Sequence, residues 1–129
     1  MTRPRRSATE VGRAAEDAAV AWLEGEGFAV LDRNLRLGPL EIDIVARRGD
    51  LVVACEVRTR GRGSFSTALG SVDAKKRKTL ARAAERLWNE RLAKLDPPVR
   101  LRIDVAAVTA GPGGMTVEYV PGAITLDEV

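Results

Sequence analysis

The stretch from Leu40 to Arg60, LEIDIVARRGDLVVACEVRTR, holds the residues best suited to chemistry. Gly49-Asp50 suits a two-residue hairpin turn of the Gly-X kind. Counting outward from that turn sets Arg48 against Leu51, Val45 against Ala54, Asp43 against Glu56 and Glu41 against Arg58. The other face then carries Ile42, Ile44, Ala46, Leu51, Val53, Cys55 and Val57 without a polar interruption. Such alternation fixes the register, because a one-residue slip would bury the charges. Carboxylates directly opposed across a strand pair repel each other. A divalent cation between Asp43 and Glu56 would offset the repulsion. Mg²⁺ binds in this way, through one or two carboxylates completed by substrate phosphates, and Mn²⁺ accepts the same oxygen donors. The alternative is a structural ion-pair cluster, in which Arg58 and Arg36 neutralise the two acids.

Composition narrows the chemistry further. The chain has no histidine, which excludes Ser-His-Asp and Cys-His arrangements and the usual zinc sites. A single cysteine, Cys55, excludes an internal disulfide framework. Any metal is therefore a hard cation held by carboxylates and carbonyls. At 129 residues, 45% hydrophobic and 30% charged, the chain suits one globular domain over residues 1–129. It lacks the run of roughly 18 apolar residues that a membrane helix needs. The opening MTRPRRSATE is basic without the apolar core of a signal peptide, so the expected location is cytoplasmic.

Net charge is +3, but unevenly spread. Arg58, Arg60, Arg62, Lys75, Lys76, Arg77, Lys78 and Arg82 face one acid, Asp73, giving this segment +7 and the rest of the chain −4. A solvated helix face explains most such runs; a one-sided cluster also fits a phosphate-binding surface.

Around these residues the pattern predicts seven elements. Ser7 and Glu10 have capping-box spacing ahead of a helix from Val11 to Leu23, ended by Gly25 and Gly27. Glu16 falls on that helix's apolar side, between Gly12 and Val20. Phe28–Leu31 reads as a strand, the hairpin follows, and the small polar residues of Gly61–Ser71 read as a mobile loop that orders on substrate. A helix over Val72–Leu95, with Leu80, Ala83, Ala84, Leu87 and Trp88 inward, is stopped by Pro97-Pro98. Val99–Val108 and Met115–Val120 are strands joined by a GPGG turn. A helix between strands favours a parallel crossover and hairpins are antiparallel, so the expectation is an α/β domain with helices on a mixed sheet.

Asp43 followed across a hairpin by Glu56-Val57-Arg58 resembles the PD-(D/E)xK nuclease signature. More specifically, the chain resembles the YraN-type family of uncharacterised bacterial proteins, whose fold is similar to archaeal Holliday junction resolvases. Gly12-x-x-x-Glu16, Leu23, Gly27-Phe28, Arg33-Asn34, Glu41-Ile42-Asp43 and Glu56-Val57-Arg58-Thr59-Arg60 carry the likeness. Val72-x-x-x-Lys76, Arg102-Ile103-Asp104-Val105 and Gly122-Ala123-Ile124 extend it.

The resemblance implies a restriction-endonuclease-like core with Asp43, Glu56 and the Val57 carbonyl as metal ligands. It implies that Glu16 approaches the same metal or positions its water, and that Lys76 contacts the scissile phosphate. Arg58, Arg60, Arg62, Lys75, Lys76 and Lys78 would then bind nucleic acid, most simply DNA. Cutting two strands requires two sites, so a homodimer is expected. This chain departs from the family pattern in carrying Arg58 where the pattern has lysine, and Pro39-Leu40 where a glycine is common. Arginine keeps its charge and binds phosphate bidentately, but it does not give up its proton and cannot act as a general base. Three functions stay open: a metal-dependent endonuclease-like protein acting on DNA, including branched DNA; a nucleic-acid-binding module that has lost turnover; and an accessory factor in repair or recombination.

Overall fold

The computed structural model describes residues 8–60, 70 and 72–125. Ser7 of the expected capping box, Arg62 and all of the 61–71 loop except Gly70 lie outside them. The elements run α1 (Ala8–Gly25), β1 (Ala29–Leu37), β2 (Leu40–Arg48), β3 (Leu51–Arg60), α2 (Ala74–Leu87), β4 (Arg100–Gly111) and β5 (Gly114–Ile124). The strands form a single sheet in the order β1-β2-β3-β4-β5. All neighbours are antiparallel except β3 and β4, which run parallel because α2 carries the chain back between them. The expected mixed α/β sheet is thus observed. Among the described residues no helix is long and apolar enough to cross a membrane.

The hairpin turn lies where counting put it. Arg48 pairs with Leu51, and Gly49 has φ 60, the conformation its missing side chain permits. Val45 faces Ala54 and Ile44 faces Cys55.

Both faces of the hairpin are buried, rather than one. On one side Ala15, Ala19 and Leu23 of α1 are fully buried, and small side chains let the helix sit close over Ile44, Ala46, Val53 and Cys55. Burying Leu23 alone contributes about 2 kcal/mol. On the other side Ala83 and Leu87 of α2 cover Val45, Val52 and Ala54. Ile42, expected beside Ile44, belongs to this second cluster. The cause lies in β1. Asn34 has φ 53, the one non-glycine residue with positive φ among those described. Its neighbours then point to opposite sides: Arg33, paired with Ile44, reaches α1, whereas Leu35, paired with Ile42, enters the α2 cluster.

β1 also runs past Leu31, where the sequence reading ended it. Asp32, Arg33, Asn34 and Arg36 are polar because β1 is an edge strand and most of its side chains meet solvent. The second helix starts later than expected, at Ala74, with Asp73 Oδ1 accepting from the Lys76 amide at 2.8 Å. It ends sooner, passing into a π-helical turn over Trp88–Leu92.

Candidate functional site

The β2–β3 ladder ends at the Ile44–Cys55 rung, one step short of Asp43 and Glu56. Beyond it Asp43 acts through its side chain, with the Val57 amide donating to Asp43 Oδ2 at 2.9 Å. The charge of Asp43 acts directly on the neighbouring Glu56 carboxyl. Glu56 is buried, with 4% of its surface exposed, so little water reaches it. Burial, then the neighbouring Asp43 carboxylate, push the Glu56 carboxyl up to about 8, against the opposing pull of Lys76 and Arg58.

Two cations stand over this acid. Lys76 Nζ, from the first turn of α2, lies 3.5 Å from Glu56 Oε2 and Arg58 Nη1 lies 3.6 Å from the same oxygen. Arg58 Nε is buried without a hydrogen-bond partner among the described residues. Arg58, Asp73, Lys75, Lys76 and Thr79 line an open cleft of about 340 Å³. Glu41, expected opposite Arg58, instead pairs with Arg36 at 3.7 Å, because β2 has parted from β3 by then.

Glu16 does face the sheet, as its place on the apolar side of α1 predicts. Its carboxylate accepts from Asn34 Nδ2 at 3.2 Å and lies 3.5 Å from Arg33 Nη2, which also bonds Asp17 Oδ1 at 2.8 Å. With Gly12 and Arg13 these residues line a cleft of about 500 Å³. Among the described residues no three Asp, Glu or Cys side chains form a group able to hold a metal ion. The structure therefore brings Asp43, Glu56, Arg58 and Lys76 together, and holds Glu16 on Asn34 and Arg33. Arg60, expected to contact nucleic acid, is ion-paired with Glu118 at 3.0 Å. Lys75 and Lys78 are exposed on α2.

The atoms this pair offers are all oxygen, the donors that a hard divalent cation takes, and a cation there would offset the repulsion between the two acids. The Val57 amide fixes Asp43 from behind, the support that ligands generally require.

Residues to which the sequence assigned no role form a second polar centre. Asp104 is fully buried and accepts from Arg102 Nε at 2.8 Å, Arg102 Nη2 at 2.9 Å, Tyr119 Oη at 2.6 Å and the Gly122 amide at 2.8 Å. Trp22 of α1 stacks on Tyr119 with ring centroids 4.1 Å apart. The signal was an acid between Ile103 and Val105, since a charge inside an apolar strand must be paired. Cys55 beside it is buried, and desolvation raises its thiol pKa, so it is no nucleophile.

Residues 15–108 match the family described as "Uncharacterised protein family UPF0102". A UPF0102 protein of Sorangium cellulosum is 47% identical over 114 residues, covering 88% of this chain and 79% of the relative. One from Kineococcus radiotolerans is 46% identical over 121 residues, covering 91% and 95%. Another, from Maricaulis maris, is 39% identical over 124 residues, covering 95% and 94%. With matches of this extent, the chain belongs to the UPF0102 family.

Proposed function

We propose that this protein is a divalent-metal-dependent nuclease with a restriction-endonuclease-like core, acting on DNA phosphodiester bonds. The observation that carries the reading is the Asp43–Glu56 carboxyl pair at the end of the β2–β3 ladder, with Lys76 and Arg58 over it. Asp43 and Glu56 would hold Mg²⁺ or Mn²⁺, with the Val57 carbonyl as a further donor. When bound, such a cation lowers the pKa of a water and offsets charge on the phosphate. Arg58 and Lys76 would grip the phosphate and stabilise its developing charge. Arg58 donates hydrogen bonds only and would not serve as the base. The basic face of α2 would hold the neighbouring phosphates.

A second reading, a binding module without turnover, is favoured by one feature: arginine occupies the position of the motif lysine. One assay separates the two. Purified protein is incubated with labelled four-way, flap, duplex and single-stranded DNA in Mg²⁺ or Mn²⁺, beside Asp43→Ala prepared identically. Cleavage by the wild type alone supports the nuclease. Salt-sensitive binding to these DNAs with no cleavage supports the binding module.

A further inference from the structure

The cleft between α1 and β1 is lined by Gly12, Arg13, Glu16, Asp17, Arg33 and Asn34, and neither the acid pair nor α2 contributes to it. Its volume of about 500 Å³ falls in the range of small-molecule sites, roughly 300–1,000 Å³. Its charges cancel, Arg13 and Arg33 against Glu16 and Asp17. A phosphate or a metal ion gains little there, whereas a neutral group offering both donors and acceptors fits. Asn34 Nδ2 donates to Glu16 Oε1 at 3.2 Å, leaving Asn34 Oδ1 and Glu16 Oε2 as acceptors without a partner among the described residues. Arg33 is held by Asp17 at 2.8 Å and by Glu16 at 3.5 Å, and a guanidinium fixed by its edge can stack through its face. Asn34 also has φ 53, and backbone strain of this kind gathers at ligand sites. Gly12 lines the cleft one helical turn before Glu16. Glycine inside a helix is less stable than alanine. No packing among the described residues requires it, because a Cβ built there meets nothing within 4 Å.

We propose that this cleft takes an unpaired nucleobase, stacked on Arg33 and read along its hydrogen-bonding edge by Glu16 and Asn34, with Gly12 keeping the space open. The inference rests on the nucleic-acid reading above and not on a cation. It narrows the substrate class. A base inside a duplex is paired and stacked, and drawing it out is costly. The cleft therefore favours strands whose bases are already free: single strands, flaps and the open centres of junctions. Stacking a base on a protein side chain is worth on the order of tenfold in affinity.

Gly12→Leu tests the idea, because leucine is a good helix former and its side chain would fill the cleft. Fluorescence anisotropy in EDTA gives the affinity of the wild type and the variant for two single DNA strands of equal length. One strand bears thymine at every position and the other has abasic sugars throughout. The wild type is expected to bind the thymine strand roughly tenfold more tightly than the abasic one. Gly12→Leu, folded by its melting temperature, should bind both strands as weakly as the wild type binds the abasic strand. Equal affinity of the wild type for the two strands overturns the proposal. So does a preference that survives in Gly12→Leu, since the bases are then held elsewhere. Should Gly12→Leu fail to fold, Asn34→Gly replaces it, because glycine suits the backbone angle and removes the amide. The preference should shrink in that variant, and an unchanged preference overturns the proposal. If the wild type binds neither strand, the nucleic-acid reading itself has failed and the proposal falls with it.

Discussion

Asp43 and Glu56 stand side by side just beyond the last rung of the β2–β3 ladder, where the charge of Asp43 acts on the buried Glu56 carboxyl. Burial first, and the charge of Asp43 second, disfavour the Glu56 carboxylate and push that group up to about 8. Between the ordinary glutamate range and that value the folded protein binds a proton that the unfolded chain does not. The stabilisation is complete below the unfolded pKa and is lost as pH rises through about 8. Without divalent cations, the melting temperature should fall by several degrees between roughly pH 5 and 8.5, reflecting on the order of a few kcal/mol. Glu56→Gln, which carries no titratable proton, should flatten that slope. An equal slope in Glu56→Gln would assign the pH dependence to other groups.

Cation binding should run the opposite way. A divalent ion held by this pair would displace the proton on Glu56, so its affinity should rise as pH rises. Saturating Mg²⁺ or Mn²⁺ is expected to raise the melting temperature more at about pH 8 than at about pH 6, following the usual linkage of binding to stability. Asp43→Ala should abolish the increment at both values. Thermal unfolding with and without the ion decides it, and an undiminished increment in Asp43→Ala would locate the ion elsewhere.

The sequence carried the hairpin almost whole, because Gly49-Asp50 leaves one register that keeps Ile44, Ala46, Val53 and Cys55 together. It also carried the inward turn of Glu16, since helical period alone puts position 16 beneath Gly12 and Val20. Its failure at Ile42 has a local cause. Strict alternation assumes a regular strand, and the positive φ of Asn34 on the neighbouring strand breaks the regularity for both. The end of β1 was missed for a different reason: an edge strand has no buried face over Asp32–Arg36 to impose a period, only backbone pairing, which sequence does not display. The approach of Lys76 to Glu56 depends on how α2 crosses the sheet, a tertiary fact with no spacing signature in the chain.

Asp104 tests whether the buried centre in β4 and β5 holds the fold rather than the chemistry. Removing the carboxylate leaves the Tyr119 hydroxyl and the Gly122 amide without their acceptor, and Arg102 without its counter-charge. Asp104→Ala should lose about 2–4 kcal/mol of stability in urea unfolding. Because Trp22 stacks on Tyr119, its fluorescence should change in the same variant. Mn²⁺ affinity of the fraction that remains folded should match the wild type.

In the proposed nuclease, Lys76 and Arg58 would divide the tasks of the single motif lysine. Arg58→Lys returns an amine to β3 and should raise metal-dependent cleavage of DNA, whereas Lys76→Met should lower it by at least roughly tenfold. Neither change should weaken Mn²⁺ binding, since both groups repel the ion. Single-turnover rates alongside calorimetry separate these effects. Cleavage unaltered by Lys76→Met would leave Arg58 as the cation that acts on the phosphate.

Lys75, Lys78 and Arg82 project from one side of α2 at helical spacing and form an exposed ridge about 10 Å long. That length spans more than one phosphate step of a nucleic-acid strand. A strand following the ridge would leave the cleft that Lys75, Lys76 and Arg58 line. Each phosphate neutralised on duplex DNA contributes about 0.9 to the slope of log affinity against log salt. Lys78→Ala and Arg82→Ala should each shallow that slope by close to this amount, with affinity reduced across all sequences alike. Arg100, ion-paired with Asp50 beside the hairpin turn, is the control, and Arg100→Ala should leave the slope unchanged. Equal slopes in all of the variants would mean that the basic face of α2 is a solvated surface and that the strand is held elsewhere.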